Sequence, residues 1–382
     1  MIKAPEKTSQ ETPLSSLPSS QRNFNLDIIR IFAFICIPCT HFFLYTGFYD
    51  LPVDNPAMMF LMCLRNLCLT CIPLFMILTG YLQGTKDFAP DKRYYAKIFK
   101  FLIPYFIVCI LTLLMNALMH KTVPSVTEVI KGFTTYTGYT WYVEMYLGIF
   151  LFIPFLNKFY NALKTKKQER ILLGILIVFT LLPTVVNTYC FTSGSPFFYP
   201  AKSGETLKIL PDFWTRLYPL TFYFTGAYLH RHKEEIKWSA KKAFIILSGA
   251  ILVFSAYNIL RNYGYNPSVY NWVGRNSLTV YVTAVLIFIF VLSLNFKKAP
   301  QKCGKFIGKI SDLTFSAYIC SYLVDKIFYI YLKRYTESFA QRILTYPLSV
   351  IFVIISSLIA AFFIDLFTKK ACTLINKHII KT

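Results

Sequence analysis

Apolar runs about as long as a bilayer is thick recur along this 382-residue chain from residue 26 to residue 367, and they decide what it can fold into. A hydrocarbon core about 30 Å thick asks roughly 20 mainly apolar residues of each spanning helix. Candidate spans fall near 26–48, 57–83, 98–119, 141–160, 171–189, 213–230, 243–260, 275–296, 311–332 and 344–367. A helix surrounded by lipid and other helices is apolar all round, so length and flanking charge carry the assignment rather than periodicity. Composition agrees: 55% of residues are hydrophobic and only 15% charged, too little polar surface to clothe a water-soluble fold. The expectation is an all-α, polytopic transmembrane helix bundle of about ten spans in a lipid bilayer.

A formal charge of +22 would raise nucleic acid as a partner in a soluble protein. Here the charges sit in short loops between apolar runs, with no basic module interleaved with exposed aromatics, so no nucleic acid is expected. Of the 40 Lys and Arg, 27 lie in or beside the tails and the even-numbered loops, 11 on or near the other side, and Arg30 and Arg65 within spans. By the positive-inside rule both termini are cytoplasmic. Residues 1–25, rich in Ser, Pro, Gln and Thr, read as a disordered cytoplasmic tail, 26–367 as the membrane domain, and 368–382 as a basic cytoplasmic tail. The first apolar run carries Asp27, Arg30 and His41, which makes it a retained span and not a signal peptide. Seven of the ten cysteines lie inside apolar runs, where the thiol behaves as a small hydrophobe; Cys36-Ile37-Pro38-Cys39 imitates a redox motif but sits mid-helix without a βαβ context.

An ionisable side chain within a span costs a few kcal/mol, and so it usually faces a protein interior or a wet cavity and marks function. At 100° per residue Asp27, Arg30 and His41 share one helix face, with Arg30 and His41 separated by about 16 Å along the axis. That pattern describes a route across the bilayer with a cation at one end and a titratable base toward the other. His41 is the single histidine of five placed inside a span. Arg65 is a second in-span cation. Glu144, beside Trp141 and Tyr142 at the outer start of the fourth span, is the acidic candidate to pair with Arg30, His41 or a sugar hydroxyl. Lys92, Arg93, Lys97 and Lys100 make a cytoplasmic patch, either a solvated positive-inside face or a seat for the phosphates of an anionic donor. The longer external segments 187–212 and 261–273 carry many aromatics, which fit an interfacial belt or a surface for stacking sugars.

The LDIIR segment with His41 eleven residues after Arg30 resembles the first span of the acyltransferase 3 family of integral membrane acyltransferases. The likeness continues through IPLFMILTGYL at 72–82, KIFKFLIPYF at 97–106, WYVEMYLGIFLFIPFL at 141–156 and the glycine of YFTGAYL at 223–229. Two departures stand out. Lys97 and Lys100 precede Pro104 where many members have arginines, which keeps the charge but loses the bidentate fork. Tyr139-Thr140-Trp141 stands where many have His-Leu-Trp, so a role for that second histidine does not transfer. No hydrolase domain of the SGNH type follows the last span.

The resemblance implies a bacterial cell membrane, an acetyl-CoA or other acyl-CoA donor on the cytoplasmic side, and as acceptor a hydroxyl of a cell-envelope glycan or lipid-linked sugar. A hydroxyl attacking a thioester needs a base that titrates near neutrality, for which histidine is the usual choice. His41 is expected to be that base or a transient acyl carrier, and Arg30 to stabilise the donor phosphate or the developing oxyanion. Asp27, Lys92, Arg93, Lys97, Lys100, Trp141 and Tyr142 are the expected binding residues. No bound cofactor and no metal are expected, since the histidines do not cluster, and GxSxG, GxGxxG and P-loop motifs are absent. The alternative is a transporter or flippase of lipid-linked sugars, which would also carry in-span charges but often shows inverted repeats.

Overall fold

In lipid each backbone N–H and C=O has to be satisfied within the chain, and the chain answers with helices. The computed structural model describes residues 22–134, 141–189, 207–267, 274–296 and 300–379. Its helices are α1 (Phe24–Thr46), α2 (Pro56–Cys68), α3 (Cys71–Gln83), α4 (Lys92–Ala96), α5 (Phe99–His120), α6 (Val126–Thr134), α7 (Trp141–Ala162), α8 (Lys166–Thr180), α9 (Pro183–Val186), α10 (Tyr218–Arg231), α11 (Ala240–Asn262), α12 (Leu278–Ser293), α13 (Gln301–Tyr335), α14 (Phe339–Leu344) and α15 (Tyr346–Ile379). Tyr139 and Thr140, Phe197 to Pro200, Tyr270, Trp272 and the first 21 residues lie outside the described residues.

Eight helices or helix pairs are long and apolar enough to cross a membrane: 24–46, 56–83, 92–120, 141–162, 166–186, 240–262, 301–335 and 346–375. The other two expected spans, 213–230 and 275–296, coincide with the shorter α10 and α12, of 14 and 16 residues. Both are clad by protein. Most side chains of α10 and α12 are buried, with α10 packed on α3 and α12 on α11.

Local chemistry sets the ends. Asn23 caps α1 by accepting from the Asn25 N–H, and Gly47 closes it in the left-handed region at φ +91. Proline at the first position opens α2 under an Asn55 cap. The span that follows is broken in two because Pro73 brings no N–H and its ring opposes the carbonyl of Leu69, four residues back, so the chain turns at Leu69–Thr70 before α3 resumes. Capping boxes start α8 (Thr165, Gln168) and α14 (Ser338, Gln341).

Two helix pairs position the interior. Where α3 crosses α10, Gly80 and Gly226 let the backbones touch: a Cβ at Gly80 would lie 1.9 Å from the Tyr223 carbonyl oxygen, and one at Gly226 2.0 Å from that of Ile77. Asn157 of α7 closes this corner, accepting from the Tyr223 hydroxyl at 2.6 Å and donating to the carbonyls of Gln83 and Lys86. The other pair is α1 and α13, which run side by side in the same direction and are tied at both ends by charged side chains.

Candidate functional site

A cavity of about 1150 Å³ follows α1 from Arg22, just ahead of its first turn, to Tyr49, just beyond its last. Its walls come from α1, α2, α3, α5, α7 and α13, with residues 215–218 and 274–276 closing one end. It therefore runs most of the length of the bundle.

The Arg22 end is a charge-matched knot. Arg22 Nε and Nη2 donate to the two carboxylate oxygens of Asp27 at 2.6 and 2.8 Å. Its Nη1 and Nη2 reach Asp312 at 2.9 Å each, and Nη2 also donates to the Gly308 carbonyl. The bond to Asp27, with Asp312 adding to it, raises the Arg22 pKa above its ordinary value against the lowering effect of burial. Arg30 donates to Ser311 Oγ at 3.0 Å and stands 3.8 Å from Asp27 Oδ1. Two guanidiniums thus face two carboxylates, in the fork geometry that suits arginine.

The middle stretch is apolar, with Ile37, Ile72, Phe75, Phe101 and Phe315 in its wall. Beyond it stands His41, whose Nδ1 lies 2.9 Å from Asp325 Oδ2, a carboxylate with no solvent exposure. A carboxylate on one ring nitrogen fixes the tautomer and turns the other nitrogen toward the reaction space. Past His41 the wall becomes aromatic and cationic. Arg65, 1% exposed, donates to the Tyr49 hydroxyl at 2.8 Å and to Asn66 Oδ1 at 3.2 Å. The Arg275 guanidinium lies 3.6 Å from the centre of the Trp141 ring, and Tyr218 lines the same wall. Arg216 completes this end.

Of the residues expected from sequence, His41, Arg30, Trp141 and Tyr142 line the cavity, and Asp27 is buried behind Arg22 and Arg30. Glu144 requires correction as the partner of Arg30 or His41: it is exposed, on the face of α7 that the cavity does not use, and the carboxylates beside those residues are Asp27 and Asp325. Lys92, Arg93, Lys97 and Lys100 are exposed and outside the cavity wall, with Lys97 Nζ lying 5.4 Å from the centre of the Phe88 ring and 5.7 Å from that of Tyr94. Phe101, one residue after Lys100, does reach the wall. Asp325, Asp312, Ser311 and Arg22 were not singled out by the sequence reading. Asp325 had a signal available, since it is an acid within the apolar stretch SAYICSYLVDKIFYIYL. Arg22 had none, because it falls in a stretch that composition assigns to the tail.

The family comparison matches residues 23–366 to the acyltransferase domain of the acyltransferase 3 family. No curated protein and no solved structure matches the chain. The matched stretch takes in every wall of the cavity and all of its ionisable residues except Arg22. On that match, which covers most of its length, the chain is a multi-pass membrane acyltransferase and belongs to the acyltransferase 3 family.

Proposed function

We propose that this acyltransferase moves an acetyl-type group from an acyl-CoA in the cytoplasm to a hydroxyl of an envelope glycan or lipid-linked sugar at the other face of the cell membrane. The observation that carries the reading is His41 held by Asp325 inside a cavity whose far end holds Arg30. The distribution of Lys and Arg supports a cytoplasmic amino end for α1. The donor then enters at the Arg22 and Arg30 end and the acceptor at the His41 end.

With Nδ1 bound to Asp325, His41 Nε2 carries the lone pair. It takes the proton of the acceptor hydroxyl while the oxygen attacks the thioester carbonyl, the C–S bond breaks and the CoA thiolate leaves. In the carrier variant Nε2 itself attacks the carbonyl and then yields the acyl group to the hydroxyl. Asp325 stabilises the imidazolium in both cases. Arg30, at the far end of the cavity from His41, supplies a cation for the donor phosphates. Lys92, Arg93, Lys97 and Lys100 gather the anionic donor at the same membrane face.

The test is the acyl content of the surface glycan, read by NMR, in a null strain complemented at matched expression with wild type, His41→Ala or Arg30→Ala. Wild type should restore an O-acyl signal and both variants should fail to. Full restoration by both variants would overturn the assignment, and accumulation of lipid-linked sugar in a null strain that lacks no acyl group would favour a flippase.

A further inference from the structure

The two ends of the cavity differ in charge balance. At the Arg22 end the cations are answered: Arg22 and Arg30 face Asp27 and Asp312 within 4 Å. At the His41 end Arg275 and Arg216 line the wall, and among the described lining residues the sole carboxylate, Asp312, belongs to the opposite end. Asp325 lies behind His41 and is engaged by it. Arg65 is committed to Tyr49 and Asn66, so its place in the wall has a structural account. Among the described residues no carboxylate pairs with Arg275 or Arg216, and Arg275 is held by the Trp141 ring.

Arg275 is fixed in a way that suits recognition. Its guanidinium is stacked on Trp141, a contact that holds the plane of the group without neutralising it. A preorganised fork loses little entropy on meeting a carboxylate or phosphate and binds it bidentately. Cations on the wall of a low-dielectric cleft also concentrate anions there.

We propose that the acceptor is anionic: it bears a carboxylate or phosphate close to the hydroxyl that is acylated, and Arg275, with Arg216 on the wall of the same cavity, binds that group and sets acceptor specificity. This rests on the acyltransfer reading for the identity of the acceptor, and on the wall charges alone for its sign. The negative group has two sources, an acidic sugar in the glycan itself or the pyrophosphate of a lipid carrier. A neutral free oligosaccharide makes no use of the two arginines.

The experiment uses the full chain in proteoliposomes with acetyl-CoA and three acceptors: an oligogalacturonate, its carboxyl-reduced neutral counterpart, and a polyprenyl-pyrophosphate-linked neutral sugar. At least one anionic acceptor should be acylated, with the reduced one used about 10-fold less well or worse. Arg275→Gln and Arg216→Gln should raise KM for the anionic acceptor by about 10-fold while kcat stays within about twofold, and Arg275→Lys should recover part of the loss. Preference for the oligogalacturonate assigns the anion to the sugar; preference for the third acceptor assigns it to the carrier. Equal use of the neutral sugar, or variants that lower kcat for all acceptors alike, would overturn the inference. Equilibrium binding of the same three compounds to His41→Ala protein separates the two failures. Charge-selective binding without any wild-type acyl transfer sinks the acyltransfer chemistry and leaves the anion site standing. Binding that ignores charge, or no binding at all, sinks the anion site whatever the chemistry does.

Discussion

At the scale of single residues, the contact between His41 and Asp325 is the one whose loss is most informative. Asn in place of Asp325 keeps the shape but offers an N–H to Nδ1, which forces the proton of the neutral ring onto Nε2 and removes the lone pair the reaction needs. Asp325→Asn should therefore lower kcat by about 100-fold or more, with acceptor KM and thermal stability near wild type, as read by acyl transfer in proteoliposomes and a melting curve in detergent. An equal loss of stability and activity would make Asp325 a packing residue. Much of this residue-level picture is legible in sequence: His41 and Arg30 announce themselves because a charge within a span is expensive, and Asp325 is exposed to the same argument. Glu144 shows where that reasoning runs out. It is an acid near the aromatic start of a span, but which way it faces is set by how α7 rolls against its neighbours, and an apolar-all-round helix carries no record of that.

At the scale of elements, α3 and α10 cross with backbone against backbone. The Cβ of Gly226→Ala would fall 2.0 Å from the Ile77 carbonyl oxygen, backbone that cannot swing aside, so the helices must part. The substitution should cost about 1–3 kcal/mol and lower the melting temperature, followed by circular dichroism in detergent. Gly249→Ala in α11, where a Cβ would meet nothing within 4 Å, should leave the melting temperature unchanged or slightly raised. If both variants melt alike, the crossing does not limit stability. Length and hydropathy already mark the long spans, and Pro73 marks the break between α2 and α3. They overstate α10 and α12: the expected spans begin at 213 and 275, ahead of the helices, because the chain at 213–217 and 275–277 turns to close the end of the cavity.

At the scale of the whole molecule, the proposed reaction has to balance charge across an insulating sheet. The acyl group leaves one face as the equivalent of an acyl cation; the proton of the acceptor hydroxyl passes to His41, and the CoA thiolate forms beside it at the same carbonyl. If the thiolate returned to the cytoplasm without that proton, each turnover would export one positive charge, at a cost of about 2.3 kcal/mol per 100 mV of inside-negative potential. His41 can instead hand the proton to the departing thiolate, and the exchange then carries no net charge. Turnover in proteoliposomes should accordingly be unchanged, within about twofold, when a potassium diffusion potential is imposed with valinomycin; slowing on the order of 10-fold would mean that the proton is released outside. In the proposed reaction, a cavity that brings one histidine to both thioester and acceptor would thus let a cell decorate its exterior with cytoplasmic acyl groups without drawing on the voltage across its membrane.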